Sequence, residues 1–352
     1  MISLLQSRPT RSLIGSLALL GAAGCGDSTS PGDDAEDPGL LLAPAAYYGA
    51  GPVWTKDGTE LLYVLRTTVN QKEAAVLAAV NASTRAIREL GVFPPIGHLV
   101  RSAGGERIYF GNYISPPSGS GANYQVSRIH PNSGLVEIVA AGDARGVAVS
   151  DDERWLAVGR RLFDLQTGTT LVLPAGAPID FSPDGTQLLY SPDADLFAVT
   201  LISTADGSSQ PLHSDGGDFS PSIAHRWEGN SPKLLRTDHN EDLDAVRVFE
   251  IDGVTGATQD LAQFHGNALG PEANWSPDGR VLAIWVATGA ALSEEPARKI
   301  LYLIRPGNAP EARANVGAQP GQAVFSPSGS SIAYFMRYGD LQQGALFLKS
   351  GL

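Results

Sequence analysis

The chain has 352 residues, 43% of them hydrophobic and 18% charged, with a formal net charge of −12. That composition can fill a sizeable core, and the acidic balance argues against nucleic acid or an anionic membrane surface as the main partner. The one cysteine, Cys25, excludes an internal disulfide and a cysteine-based zinc site.

Residues 1–24 have the three parts of a secretory signal. Arg8 and Arg11 lie in a stretch without acids, Ser12 to Ala23 is apolar, and small residues lead to Cys25. The apolar run is too short to span a bilayer. Ala22-Ala23-Gly24-Cys25 resembles the lipobox of bacterial lipoproteins, in which the Cys is diacylated and becomes the new N-terminus. Ordinary signal cleavage beside an incidental Cys is the alternative. Residues 25–39 then read as the acylated Cys and a tether. Asp27, Asp33, Asp34, Glu36 and Asp37 crowd a segment with too little apolar surface to offset its chain entropy.

The body, residues 40–352, repeats itself. Phe181-Ser182-Pro183-Asp184-Gly185, Trp275-Ser276-Pro277-Asp278-Gly279 and Phe325-Ser326-Pro327-Ser328-Gly329 each precede an apolar strand pattern. Weaker copies begin at Trp54, Arg101 and Val149. The Ser/Thr anchors fall at 55, 102, 150, 182, 276 and 326, so a degenerate seventh copy is expected near Gly229, in the gap of two periods. The motif suits a hairpin: Ser and Asp bond the turn backbone, and Gly supplies a positive φ. The fourth unit divides into four strands, PIDF, QLLYS, LFAVTL and SQPL. No helical periodicity competes with this pattern. The reading is an all-β chain forming a single seven-bladed β-propeller of four-stranded antiparallel blades, six and eight blades being the alternative counts. The last unit lacks a fourth strand, and the apolar stretch from Leu40 to Tyr48 belongs to no other unit. An N-terminal strand is therefore expected to close the ring and protect its edges.

These repeats resemble the WD40-like repeat of TolB-type propellers, also found in the propeller of prolyl oligopeptidase-family peptidases. The resemblance covers roughly residues 40–352 and speaks for blade type more than for function. TolB carries an α/β domain before a six-bladed ring, whereas here a tether precedes seven units.

Antiparallel order places the Ser-Pro-Asp-Gly turns on one rim and the b–c and d–a connections on the other. The long b–c loops are Asn112 to Asn123, Asp238 to Asp244, Ala287 to Lys299 and Tyr338 to Gly344, while the third unit is short because its b–c loop is nearly absent. Long loops on a rigid scaffold are where binding concentrates. Candidate rim residues are Asn112, Tyr113, Asn123, Asp238, Asn240, Asp242, Asp244, Glu294 and Glu295.

Asp238 to Asp244 alternates oxygen side chains as calcium loops do, but Leu243 replaces the turn Gly and Phe249 replaces the final Glu. The sequence thus predicts no cofactor, with calcium as the alternative that lacks the decisive positions. His98 and His225 fall on innermost strands and His265 in a d–a connection, so the three are weak metal candidates. Some seven-bladed polyuronide lyases with similar repeats use such a histidine cluster at the channel mouth. No G-x-S-x-G, P-loop or H-E-x-x-H motif occurs.

The sequence therefore predicts an exported, periplasm-facing protein held by lipid to the inner or outer membrane of a bacterium. Its expected role is non-enzymatic: a monomer that binds an envelope protein or peptide, without nucleic acid and touching the membrane through the anchor only. The alternative is a metal-dependent lyase or hydrolase acting on carbohydrate at the channel mouth.

Overall fold

A computed structural model describes residues 37–47, 50–101, 104, 106–113, 124–142, 146–192, 198–213, 224–240, 245–265, 273–288, 298–316, 319–337 and 343–352. Cys25, the signal segment and nearly all of the tether lie outside the described residues. The described chain forms seven four-stranded antiparallel sheets.

Strand β1 (Leu40–Tyr47) comes first and is used last. Blade 1 holds β2 (Val53–Trp54), β3 (Glu60–Val69), β4 (Lys72–Asn81) and β5 (Ile87–Phe93). Blade 2 holds β6 (Ile96–Arg101), β7 (Ile108–Tyr113), β8 (Tyr124–Ile129) and β9 (Val136–Gly142). Blade 3 holds β10 (Val147–Val149), β11 (Trp155–Val158), β12 (Arg161–Asp164) and β13 (Thr170–Val172). Blade 4 holds β14 (Gly176–Phe181), β15 (Gln187–Pro192), β16 (Thr200–Ser203) and β17 (Ser209–Pro211). Blade 5 holds β18 (His225–Glu228), β19 (Ser231–Asn240), β20 (Ala245–Asp252) and β21 (Thr258–His265). Blade 6 holds β22 (Asn274–Trp275), β23 (Leu282–Thr288), β24 (Arg298–Ile304) and β25 (Glu311–Val316). Blade 7 holds β26 (Gln319–Phe325), β27 (Ser331–Arg337) and β28 (Gln343–Ser350), and β1 completes it by pairing with β28. The fold is a seven-bladed β-propeller.

The core lies in the seams between blades. Alternate residues of a middle strand face opposite neighbours, so these strands read as unbroken apolar runs. Leu188 packs into the seam between blades 3 and 4, and Leu189 into that between blades 4 and 5. In β27, Ile332, Tyr334 and Met336 pack on blade 6 while Ala333 and Phe335 pack on blade 1. Each seam has its own buried cluster, and the one joining Leu42, Ala43 and Ala46 of β1 to Trp54, Leu61 and Tyr63 closes the ring. The N-terminal strand is clamped at its start. Lys349 pairs with Asp37, Tyr334 donates its hydroxyl to the carbonyl of Pro38, and Asp37 N–H donates to Asn315 O at 3.0 Å.

The repeated motif builds one turn five times. In blade 4, Ser182 Oγ donates to Asp184 Oδ1 at 2.7 Å and accepts from Gln187 N–H at 3.0 Å. Asp184 Oδ1 also accepts from Thr186 N–H at 3.0 Å. Thr55 with Asp57, Ser150 with Asp152, and Ser276 with Asp278 repeat the side-chain bond at 2.6 Å in each case. In blade 7, Ser328 takes the place of the Asp and meets Ser326 at 3.1 Å. The residue that needs a positive φ is Gly58, Gly185, Gly279 or Gly329 in four copies, and Glu153, at φ +55°, in blade 3. The expected degenerate copy is the two-residue turn Gly229-Asn230, which joins β18 to β19 with Glu228 opposite Ser231.

Some boundaries differ from the sequence reading. The third strand of blade 4 was expected at LFAVTL and runs instead over Thr200–Ser203. Asn112 and Tyr113 are the last residues of β7 rather than loop residues. Asp238, His239 and Asn240 belong to β19, opposite Arg247, Val246 and Ala245. Pairing extends past the expected ends because ladder hydrogen bonds satisfy the backbone better than an open loop does. Three of the seven residues of the calcium-like stretch are therefore held in straight β-ladder. Its remainder, Asp242 and Asp244 included, lies outside the described residues, as do Asn123, Glu294 and Glu295.

Candidate functional site

The innermost strands of all seven blades surround a central channel of about 760 Å³. Apolar and aromatic groups form much of its wall, with Trp54, Phe181, Trp275 and Phe325 at the ends of their strands. Polar groups interrupt that wall at His98, Arg101, Asp151, Asp180 and His225. Burial pushes the pKa of the Arg101 guanidinium down, and the charge of Asp151 opposes that shift.

The polar centre of the wall is Asp180. Its Oδ2 lies 2.9 Å from His225 Nε2 and accepts from Trp227 Nε1–H at 3.1 Å. Asp180 belongs to blade 4 and both partners to blade 5, so one carboxylate joins two blades at the channel. Next to it Arg226 forks onto the buried Glu250 with two bonds of 2.8 Å and lies over the Trp275 ring at 5.1 Å. The Glu250 hydrogen bonds raise the pKa of Arg226, against its burial. A buried carboxylate answered by a bidentate guanidinium is a structural pair, with no group left over for proton transfer.

A second concavity, about 450 Å³, opens on the b–c/d–a rim between blades 1 and 2. The upper half of the β3–β4 hairpin forms one wall through Arg66, Thr68 and Glu73. Its tip, Asn70-Gln71, has φ of +51° and +63°, which matches the right-handed twist of a long hairpin. Among the described residues β2 pairs only with Leu61 and Leu62, so this hairpin stands beyond the innermost strand. Blade 2 supplies the other wall: Pro95, Ile96, His98 and Tyr113. Tyr113 N–H donates to Pro95 O at 3.0 Å, and the Tyr113 and Tyr124 rings meet edge to face at 5.3 Å. Tyr124 also meets His98 edge to face at 6.2 Å, and burial drives its phenol pKa upward. His98 lines both the groove and the channel.

The sequence-derived candidates fall apart spatially. Tyr113 does line the rim groove, but the Asn112 side chain is 4% exposed and belongs to the sheet interior. Asp238 is on the same rim in blade 5 and lies 3.6 Å from Arg236. Asn240 stands two residues further along β19. The three histidines, weak metal candidates from the sequence, lie on separate strands of two blades. His98 is on the innermost strand of blade 2 and His225 on that of blade 5, where it is engaged by Asp180. His265 ends β21, the outermost strand of blade 5, rather than lying in a d–a connection. Three strand spacings of about 4.8 Å separate that strand from the channel wall. Among the described residues no three His, Cys, Asp or Glu side chains gather as a metal site.

Asp180 and Arg236 lie outside the repeated motif, and Arg101 enters it only as the first position of a turn copy. The signal was an ionisable residue inside an otherwise apolar strand pattern, as in PIDF and KLLRTD, which marks a polar group facing a seam or the channel.

No family model matches the chain, and no curated protein matches its sequence. Solved structures do match. An oligogalacturonate lyase in complex with manganese superposes with a TM-score of 0.60 at 14% identity, over 89% of this chain and 92% of that one. A chain of the mitotic checkpoint complex gives 0.53 at 10% identity, over 95% and 98%. TolB from Acinetobacter baumannii gives 0.46 at 15% identity, over 83% and 77%. The likeness is one of fold. One ring serves a lyase and a checkpoint assembly alike, so function has to be read from the site.

Proposed function

We propose that this chain is an exported, lipid-anchored envelope protein whose propeller works as a binding module, taking a protein or peptide on the b–c/d–a rim. The observation that carries this reading is the rim groove between blades 1 and 2. It is partly apolar, edged by Tyr113 and His98, and walled by a hairpin that outgrows its blade. Pockets with a few convergent polar groups on an apolar floor suit peptide side chains. The anchor rests on the signal-like segment and on Cys25, the one cysteine, at its end. The net charge of −12 supports a partner other than nucleic acid. Metal-dependent carbohydrate chemistry at the channel mouth is not favoured, because His98 and His225 stand on different blades and His265 ends the outermost strand of blade 5.

The test is capture from an envelope extract by the untethered propeller, compared with a form trimmed at 114–122 and 289–297. Loss of the captured partner on trimming is expected, and unchanged capture would overturn the reading. Cys25→Ser should move the protein from the membrane to the soluble fraction.

A further inference from the structure

The central channel holds a carboxylate that the described residues leave without a fixed cation. Asp180 lines this space of about 760 Å³ with its side chain 43% exposed. Blade 5 sets its position: His225 Nε2 at 2.9 Å and Trp227 Nε1–H at 3.1 Å both meet Oδ2. Among the described residues Oδ1 takes no hydrogen bond, and no lysine or arginine forms an ion pair with this carboxylate. A neutral imidazole donates one N–H and carries no charge, so it orients the carboxylate without neutralising it.

The two guanidinium groups of the wall are engaged elsewhere. Arg226 forks onto Glu250 with two bonds of 2.8 Å, and Arg101 stands in the field of Asp151. Asp278, also on the wall, is tied to its own turn by Ser276 at 2.6 Å. The carboxylates of Asp151, Asp180, Asp278 and Glu250 thus outnumber the guanidinium groups of Arg101 and Arg226 at and just behind the wall. Such a passage attracts cations and repels anions. Asp151 and Asp278 belong to the a–b turns, whereas Gly51, Pro52 and Gly97 line the d–a end without charge. From that end Asp180 is the first carboxylate a ligand meets.

The site suits an organic cation better than a metal. Calcium takes about six to eight oxygen ligands, and one open carboxylate oxygen falls far short. Among the described residues no three His, Cys, Asp or Glu side chains gather to hold a transition metal. An ammonium group asks for less: a carboxylate oxygen accepts one of its N–H donors in a charge-assisted bond. The remainder of such a molecule has apolar wall to lie on, with Ile179 and Phe181 flanking Asp180 and Val53, Val149 and Val324 on other blades.

We infer that the channel is a binding site for a small primary ammonium ion with an apolar body, held at Asp180. The ammonium donates to Oδ1, and its carbon chain lies along the apolar wall. This goes beyond the rim reading: the ligand is a small molecule in the channel rather than a protein on the rim, and either can fail alone.

The experiment follows the Trp227 indole N–H by nuclear magnetic resonance, in residues 25–352 carrying Cys25→Ser, at about pH 8, where a free imidazole is neutral. The signal is assigned by its loss in Trp227→Phe. Hexylammonium, hexan-1-ol, hexyltrimethylammonium, hexanoate and calcium are titrated separately. Hexylammonium should shift the signal and bind at least about tenfold more tightly than hexanol, as one charge-assisted bond implies. Hexyltrimethylammonium, with the charge but no N–H, should fall between the two. Asp180→Asn keeps an acceptor for Trp227 and should reduce hexylammonium to the level of hexanol. If that variant does not fold, the ligand series on the parent chain decides alone. No shift with hexylammonium, equal affinity for hexanol, hexanoate binding as tightly, or an unchanged preference in Asp180→Asn would overturn the inference. Calcium moving the signal at lower concentration than hexylammonium would overturn the organic ligand. Partner capture that depends on loops 114–122 and 289–297 stands or falls apart from all of these.

Discussion

Asp180 and His225 stand 2.9 Å apart across the boundary between blades 4 and 5, on the wall of the channel. Trp227 donates to the same carboxylate oxygen, so two side chains of one blade hang on a single acceptor of the next. Among the described residues, blade 5 gives Leu234 and the part-buried Trp227 to the apolar cluster of that seam, and the polar bonds add to this join. Asp180→Ala should cost about 1–2 kcal/mol, because it leaves the ring and indole donors without an acceptor. A double-mutant cycle with His225→Phe, followed by urea unfolding, should give a coupling of at least about 0.5 kcal/mol. Strict additivity would mean the two residues are neighbours without being partners.

Acid should loosen the turns of the a–b rim. Burial acts to raise the pKa of Asp184, but bonds from Thr186, Ser182 and Asn230 overcome it and hold the carboxyl at about 2, against an ordinary 3.8. A folded pKa below the unfolded one means that stabilisation is complete above about pH 4 and drains away as pH falls towards 2. Hydrogen bonds from Ser276 and Thr55 lower Asp278 and Asp57 in the same manner. Unfolding free energy measured from pH 5 to pH 2 should fall less steeply in Asp184→Asn than in the parent. Parallel curves would show that the turn carboxylate does not couple to folding.

Blade number and closure were legible because the turn chemistry is local. A hydroxyl, a carboxylate and a glycine within five residues build the same hairpin wherever they occur, as Ser182, Asp184 and Gly185 do. A second series was equally available and went unread. Asn81, Asp164 and Asp252 open the c–d hairpins, and each Oδ1 accepts from the backbone N–H groups two and three residues on. The candidate site was less legible because its geometry depends on which blade a strand joins and how deep it lies. His265 follows an apolar strand much as a d–a linker residue would, and only the order β18-β19-β20-β21 puts it on the outside. Asn112 looks like the start of a polar loop, yet one more ladder pair, opposite Gln125, draws it into the sheet.

Closure by β1 is a strong claim about edges. Leu42 packs with Trp54, Leu61 and Phe335, so Leu42→Ala should cost about 2–4 kcal/mol in chemical denaturation. Removing residues 40–47 should do something different in kind. It uncovers the whole edge of β28, from Gln343 to Leu348, and an open apolar edge recruits other strands. The truncated chain is expected to elute as dimers or larger species in size-exclusion chromatography, and a stable monomer would show that β28 does not need its partner.

Glu153 occupies the one copy of the described a–b turns of this type in which a side chain sits at the left-handed position, with φ +55° where Gly185 has +68°. That conformation costs an L-residue about 1–2 kcal/mol, and glycine is spared it. Glu153 contacts Arg107, whose Nη1 is 3.5 Å from its carboxylate, the arginine side chain being 42% exposed and the glutamate 16%. The two substitutions should therefore have opposite signs. Gly185→Ala should destabilise by about 1 kcal/mol although its new Cβ has room, the nearest atom being Ser150 Cβ at 3.6 Å. Glu153→Gly should stabilise, by up to about 1 kcal/mol, if relief of the backbone outweighs a long 3.5 Å ion pair and the extra entropy of an unfolded glycine. Urea midpoints of the two variants settle it. A loss of stability in Glu153→Gly would mean that the carboxylate holds blades 2 and 3 together more firmly than a half-exposed contact of that length implies.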